Sequence, residues 1–201
     1  AFGADTGITS GDNLAQPAER GIGISYEMGA NTISADFKTI EWGDAAGYSD
    51  FGWENQNVYA LGYEHATNDW AFRAGYNYAK NPIAEQSASQ GMTAAGITNY
   101  IGGVQNFFNL SGFPGIVETH YSIGGGMNFG DFTIDGSLIY VPKTTQSFDT
   151  SAMTQGLAYN GALANGATPE AAGAAAAAAA ESSADVTHSQ LGITIAGTYR
   201  F

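Results

Sequence analysis

Cysteine is absent from the 201-residue chain, which rules out a disulfide framework, a thiolate nucleophile and a thiolate metal site. Basic residues are scarce: 6 Lys and Arg stand against 19 Asp and Glu, a formal net charge of −13. Nucleic-acid binding needs a basic footprint, so that class of partner is excluded. Long apolar runs are missing too. Nothing approaches the roughly 20 consecutive apolar residues of a transmembrane helix, and Ala174 to Ala180 is too short and too weakly apolar. The catalytic motifs G-x-S-x-G and H-E-x-x-H and a phosphate-binding loop are also missing. His65, His120 and His188 fall on different segments without metal-ligand spacing. The sequence therefore predicts no enzyme, no metal and no cofactor.

What is there is glycine (28 residues) and aromatic side chains (11 Tyr and 11 Phe), with charged residues at only 12%. The most informative stretch is the last one. From Ser189 to Phe201, Leu191, Ile193, Ile195, Gly197, Tyr199 and Phe201 alternate with Gln190, Gly192, Thr194, Ala196, Thr198 and Arg200. A period of two is a β-strand with one apolar and one polar face. Soluble domains usually fray at their termini. A strand that instead ends on an aromatic residue suits an outer-membrane β-barrel, whose last strand closes the sheet with its apolar side toward lipid. Tyr199 and Phe201 are the candidate signal for the barrel-assembly machinery. The mean hydropathy of −0.13 does not oppose this, because alternation cancels in an average.

The same period recurs upstream. Gly21 to Met28 sets Ile22, Ile24, Tyr26 and Met28 against Gly23, Ser25 and Glu27. Thr32 to Trp42 sets Ile33, Ala35 and Phe37 against Ser34, Asp36 and Lys38; Ile40 and Trp42 then fall on the Lys38 face, which predicts a bulge. Asn57 to Ala66 and Trp70 to Ala79 continue the series, the latter with Trp70, Phe72, Tyr76 and Tyr78 opposite Arg73, Gly75 and Asn77. Val117 to Phe129 and Phe132 to Val141 follow, and a closing strand from about Thr187 makes seven. Connections after the first, third and fifth strands are tight turns, whereas those after the second, fourth and sixth are long. Barrels of the outer membrane have short periplasmic turns and long extracellular loops. Aromatics gather toward both strand ends, as interfacial girdles do.

The fold class predicted is thus all-β: an antiparallel up-and-down transmembrane β-barrel in the bacterial outer membrane. Extracellular loops fall at about 43–56, 80–116 and 143–186, and barrel wall runs over 21–201. Counting back from Phe201 puts residues 1–20 outside as well. Single-chain bacterial barrels have even strand counts, so an odd set predicts the carboxyl-terminal part of a longer barrel. In the last loop, Thr168 as N-cap, Pro169 at the first position and Glu170 in the first turn predict a short helix over the alanine tract. Phe107, Phe108 and Phe113 lie in the middle loop, where self-packing and ligand contact are both open to them. Glu118 and His120 share an inward face; a polar lumen lining is the plainer reading, an acid–base or metal pair the alternative.

Several segments resemble the FadL/TodX family of outer-membrane transporters for hydrophobic compounds. They are Asp36-Phe37-Lys38 with Ile40-Glu41-Trp42, then Phe51-Gly52-Trp53-Glu54-Asn55-Gln56-Asn57-Val58-Tyr59. Trp70-Ala71-Phe72-Arg73-Ala74-Gly75-Tyr76-Asn77-Tyr78 through Asn81-Pro82-Ile83, and Pro114-Gly115-Ile116-Val117-Glu118-Thr119-His120, continue the likeness. The alanine-rich loop has no counterpart in that pattern. The resemblance implies a barrel of about 14 strands, an even count as such barrels require, plugged by an amino-terminal hatch. Its ligands would be long-chain fatty acids or aromatic hydrocarbons, captured by the loops, held in the lumen and released sideways into the membrane. The chain would then be the carboxyl-terminal half, and its partners the missing amino-terminal half, a hydrophobic small-molecule ligand, and outer-membrane lipid and lipopolysaccharide. Trp53, Phe107, Phe108 and Phe113 become candidates for the capture surface. Lys38 and Arg73 are inward cations suited to a carboxylate head, or to pairing with luminal Asp36, Glu64, Glu118 or Asp135. The alternatives are a non-transporting surface barrel with adhesion, receptor or structural loops, and an aqueous porin.

Overall fold

The computed structural model describes residues 14–88, 92–93, 96–97, 100–113 and 115–201. Residues 1–13 and Pro114, on which parts of the predicted outer loops fall, lie outside the described residues. The chain runs through β1 (Glu19–Met28), β2 (Asn31–Ile40), β3 (Gln56–Ala66) and β4 (Trp70–Ala79). After a small hairpin of β5 (Met92–Thr93) and β6 (Gly96–Ile97) come α1 (Tyr100–Gly112), β7 (Thr119–Phe129) and β8 (Phe132–Asp149). Helices α2 (Ser151–Ala164) and α3 (Pro169–Ala177) precede β9 (Ser183–Tyr199). Seven strands form one antiparallel up-and-down sheet in the order β1-β2-β3-β4-β7-β8-β9, open at β1 and β9.

Local chemistry sets the tight end. Met28 pairs with Asn31 and Phe129 with Phe132, leaving two-residue turns at Gly29-Ala30 and Gly130-Asp131. Gly29 and Gly130 take φ of 60° and 71°, the first-position glycine that lets a two-residue hairpin follow the strand twist. Between β3 and β4 the Thr67 hydroxyl accepts from the Trp70 amide (3.1 Å) and donates to its carbonyl (3.0 Å). All three long connections leave from the opposite end.

The two faces differ as alternation requires. One, here called outer, carries Ile22, Ile24, Leu61, Phe72, Ile123, Ile193 and Ile195, exposed along the strands; Ile193 is 70% and Ile195 80% accessible. The inner face carries the glycines, serines and charges in register with one another. Among the described residues the packed core sits at the long-connection end, where Ile83, Leu110, Ile116 and Phe148 cluster against Trp53, Phe113, Ala184 and Val186.

Three details depart from expectation. The ladders of β2 with β1 and β3 run unbroken through Ile40, so there is no bulge in β2; the chain instead leaves the strand in a 3-10 turn at Trp42–Asp44. Ile40 is apolar on the inner face because that end of the face is buried, as is Val141. Strand β8 does not stop at Val141 but continues to Asp149, absorbing Pro142 in a register shift between Val141 and Thr144. Finally, residues 100–112 and 151–164, expected as loop, are helices. The alanine-tract helix is present, with the Thr168 hydroxyl accepting from the Ala171 amide (3.3 Å).

Candidate functional site

The inner wall is built by setting polar residues opposite glycines. Asp36 pairs with Gly23, Ser34 with Gly62, Ser122 with Gly75 and Asp135 with Gly126. A Cβ on any of these glycines would collide with the facing carboxylate or hydroxyl oxygen. Each polar side chain therefore lies down across the neighbouring strand, and the wall stays thin. Around Arg73 this leaves a groove of about 310 Å³ floored by Gly75, Ser122, Gly124, Ser137 and Thr194.

Lys38 and Arg73, the inward cations within the strands, are both already paired. Arg73 Nε donates to Glu64 at 2.5 Å and its Nη1 lies 3.6 Å from Asp135; Lys38 Nζ lies 2.9 Å from Glu19. Register places Glu19, Glu27, Asp36, Glu64 and Asp135 on this face, and Glu118 continues it beyond the start of β7. These six carboxylates face Lys38 and Arg73, with Arg200 continuing the face beyond the end of β9 as Glu118 does before β7, so acids outnumber bases two to one among these described residues. The pairs are half exposed, so each adds about 0–1 kcal/mol of stability; their effect is on the field in the lumen.

Across the long-connection end sits an ordered cap. The one irregularity of the β8–β9 pair lies in β8, so β9 keeps its alternation, and Ala184 and Val186 lie on the same face as Thr194. The Leu110–Phe148 core packs on those two residues, so α1 lies over the inner side of the β8–β9 extension. Two fully buried asparagines stitch the connections together. Asn106 Oδ1 accepts from the Gln86 amide (2.7 Å) while its Nδ2 donates to the Gln86 and Asp149 carbonyls (2.9 and 2.8 Å). Asn109 Oδ1 accepts from Trp53 Nε1 (3.0 Å) and its Nδ2 donates to the Phe51 carbonyl (2.9 Å). An aromatic cluster closes one side: Trp53 stands 5.2 Å from Trp42, 4.9 Å from Tyr48 and 5.3 Å from Phe113, centroid to centroid.

The aromatic candidates therefore divide. Trp53 and Phe113 meet in that half-buried cluster, whereas Phe107 and Phe108 touch each other on α1, with Phe107 42% exposed. Glu118 and His120 do not pair: Glu118 Oε1 accepts from the Asn81 amide (2.8 Å), and His120 Nδ1 is buried without a partner among the described residues. Tyr199 sits opposite Phe132, and its ring lies 6.4 Å from that of Phe201; both are exposed on the outer side. Sequence reasoning missed Glu19 as the partner of Lys38, and it missed Asn106 and Asn109. A same-face pairing Gly21–Lys38 next to Glu19 signals the first; nothing local signals the asparagines.

No family model matches the chain, and neither does any protein of curated function. Among the solved structures similar to it are two of a hydrocarbon transporter. One is the toluene transporter TodX of P. putida, at 16% identity and a TM-score of 0.49, covering 94% of this chain and 36% of that one. The other is a deltaS2 mutant of the TodX monoaromatic hydrocarbon channel, at 16% identity and a TM-score of 0.50, covering 92% of this chain and 36% of that one. The chain thus spans about a third of the length of the structures it matches. At this identity the likeness speaks to the fold: an antiparallel barrel wall.

Proposed function

We propose that the chain is part of an outer-membrane barrel that carries hydrophobic molecules, captured at the cap, held in the lumen and released sideways into the membrane. The observation that carries the reading is the pairing of an apolar outer face with a polar inner face, with ordered helical connections packed on its inner side at one end. Leaving Ile22, Ile24, Leu61, Ile123, Ile193 and Ile195 in water costs roughly 1.5–3 kcal/mol each, together as much as the whole stability of a typical domain. Lipid removes that cost. The free edges of β1 and β9 call for further strands, because an unpaired backbone group in lipid costs several kcal/mol. The longer hydrocarbon channels that share the fold support such completion and lend the ligand class.

In this reading exposed Phe107 and its half-buried neighbour Phe108 form the capture surface together with the Trp53–Phe113 cluster. Lys38, Arg73, Glu118 and His120 line the passage, and Tyr199 and Phe201 serve assembly. A cap laid over the inner side of the wall, by α1, disfavours a freely aqueous pore. The test is uptake of labelled toluene and dodecanol by cells making the full-length protein, set beside swelling of vesicles in sugar solutions. Protein-dependent uptake without swelling is expected. Rapid swelling would make the protein an aqueous porin, and neither activity would leave a surface barrel.

A further inference from the structure

We infer that this wall selects uncharged ligands and rejects carboxylates, so that the passage serves alcohols and hydrocarbons rather than fatty acids as anions. The inference rests on the transport reading and narrows its substrate. It stands first on the pairing of the cations. A carboxylate head within the wall needs a cation with free capacity there, but Arg73 is held between Glu64 and Asp135, and Lys38 is held by Glu19; Arg200, of the same parity, lies beyond the end of β9 at the tight-turn end. An incoming carboxylate would have to displace one of these anions, which stays tethered beside the site and competes at high effective concentration.

It stands second on the carboxylates left over. Glu27, Asp36 and Glu118 share the inner face without an ion pair to Lys or Arg among the described residues. Asp36 is fixed flat against Gly23, so its charge stays at the wall along the path instead of swinging into bulk solvent. A low-dielectric wall lined by one sign of charge focuses its field into the cleft and lowers the local concentration of like-charged solutes. A neutral ligand crosses this region without penalty, and the small residues flooring the Arg73 groove offer it contact without demanding a polar head.

The experiment compares dodecanol and dodecanoate, equal in chain length, in cells carrying the full-length protein and in cells lacking it, at pH 8, where dodecanoate is ionised. Protein-dependent uptake of dodecanol at least tenfold faster than that of dodecanoate is expected. Glu64→Gln with Asp135→Asn frees Arg73, and should raise the dodecanoate-to-dodecanol ratio at least threefold. Asp36→Asn removes an anion without breaking an ion pair; it should move the ratio the same way and covers the case in which the double variant fails to assemble. Equal uptake of the two probes by the parent protein overturns the selectivity while leaving transport standing. Assembled variants with an unchanged ratio overturn its assignment to these residues. No protein-dependent uptake of either probe overturns the transport reading and this inference with it.

Discussion

Asn106 is the most informative single side chain to perturb in the cap. It is 0% exposed and makes three hydrogen bonds, to the Gln86 amide, the Gln86 carbonyl and the Asp149 carbonyl. Those groups belong to the β4–β7 connection and the end of β8, so one amide joins two long connections to α1. Asn106→Leu keeps the branching of the side chain and leaves one donor and two acceptors unpaired. Each buried unsatisfied group costs about 1–3 kcal/mol, and partial relaxation brings the sum to about 3–5 kcal/mol. That shifts local opening of the cap by about two to four orders of magnitude. The loss is local, because the sheet ladders are made by other atoms. Hydrogen exchange of the full-length protein in lipid should show faster exchange over residues 100–112 and 83–88, with the β3–β4 and β7–β8 amides unchanged. Asn106→Asp sharpens the test: it keeps an acceptor for the Gln86 amide but points a carboxylate at two carbonyls. Protection in α1 equal to the parent's in both variants would refute the claim that this amide holds the cap shut.

Three further outcomes follow from the same coordinates. Ile193→Lys places a charge on the outer face and should cost about 2–4 kcal/mol of folding free energy in a bilayer, whereas Thr194→Lys, one residue on and facing inward, should cost far less; refolding into vesicles with denaturant titration measures both. Gly75→Leu turns the Ser122 hydroxyl aside and fills the groove at Arg73, so uptake of bulky hydrophobic probes should fall more than uptake of slim ones, with normal assembly. In the cap, hydrogen bonds from the Ser147 and Ser183 hydroxyls hold the Asp185 carboxyl below its usual value of 3.8. A depressed value means that its stabilising contribution is present above the unfolded pKa and is lost as pH falls through the folded one; Ser147→Ala should raise the Asp185 midpoint in a carboxyl-detected NMR titration.

The sheet was legible because its signal is repeated. Seven segments of period-two alternation, with turn residues at alternate joints, leave one topology, and β4 falls on Trp70–Ala79 as the pattern predicts. Errors cluster where the inner face stops being polar. Ile40 and Val141 break the alternation at positions where the inner face is buried, and a reading that treats alternation as the only signal must invent a bulge in β2 and end β8 early. Helix α1 was illegible for a different reason. Its sequence, YIGGVQNFFNLSG, is rich in glycine, aromatic and asparagine residues of modest helix propensity. It is helical because Gly103 lets Met153 of α2 approach and because Asn106 and Asn109 find backbone partners distant in sequence. Tertiary contacts of that kind leave no local trace. The alanine tract, by contrast, carries its cap, proline and propensity in adjacent residues, and it folded as read.

The glycines facing Asp36, Ser34, Ser122 and Asp135 bear directly on how such a wall recognises anything. A side chain lying flat on its neighbour cannot reach toward the centre of a wide lumen, so directional hydrogen bonds to a ligand are few. Specificity that rests on a site built to satisfy one polar group rejects analogues steeply; a wall of this kind forgoes it. What is left is the summed field, which acts at a distance and sorts by charge, and the cap, which sorts by size and apolar contact. Such a passage tolerates many carbon skeletons and is intolerant of charge. The same geometry explains why neutralising one wall carboxylate should change selectivity without changing fit: Asp36 can lose its charge while the shape of the lumen stays the same.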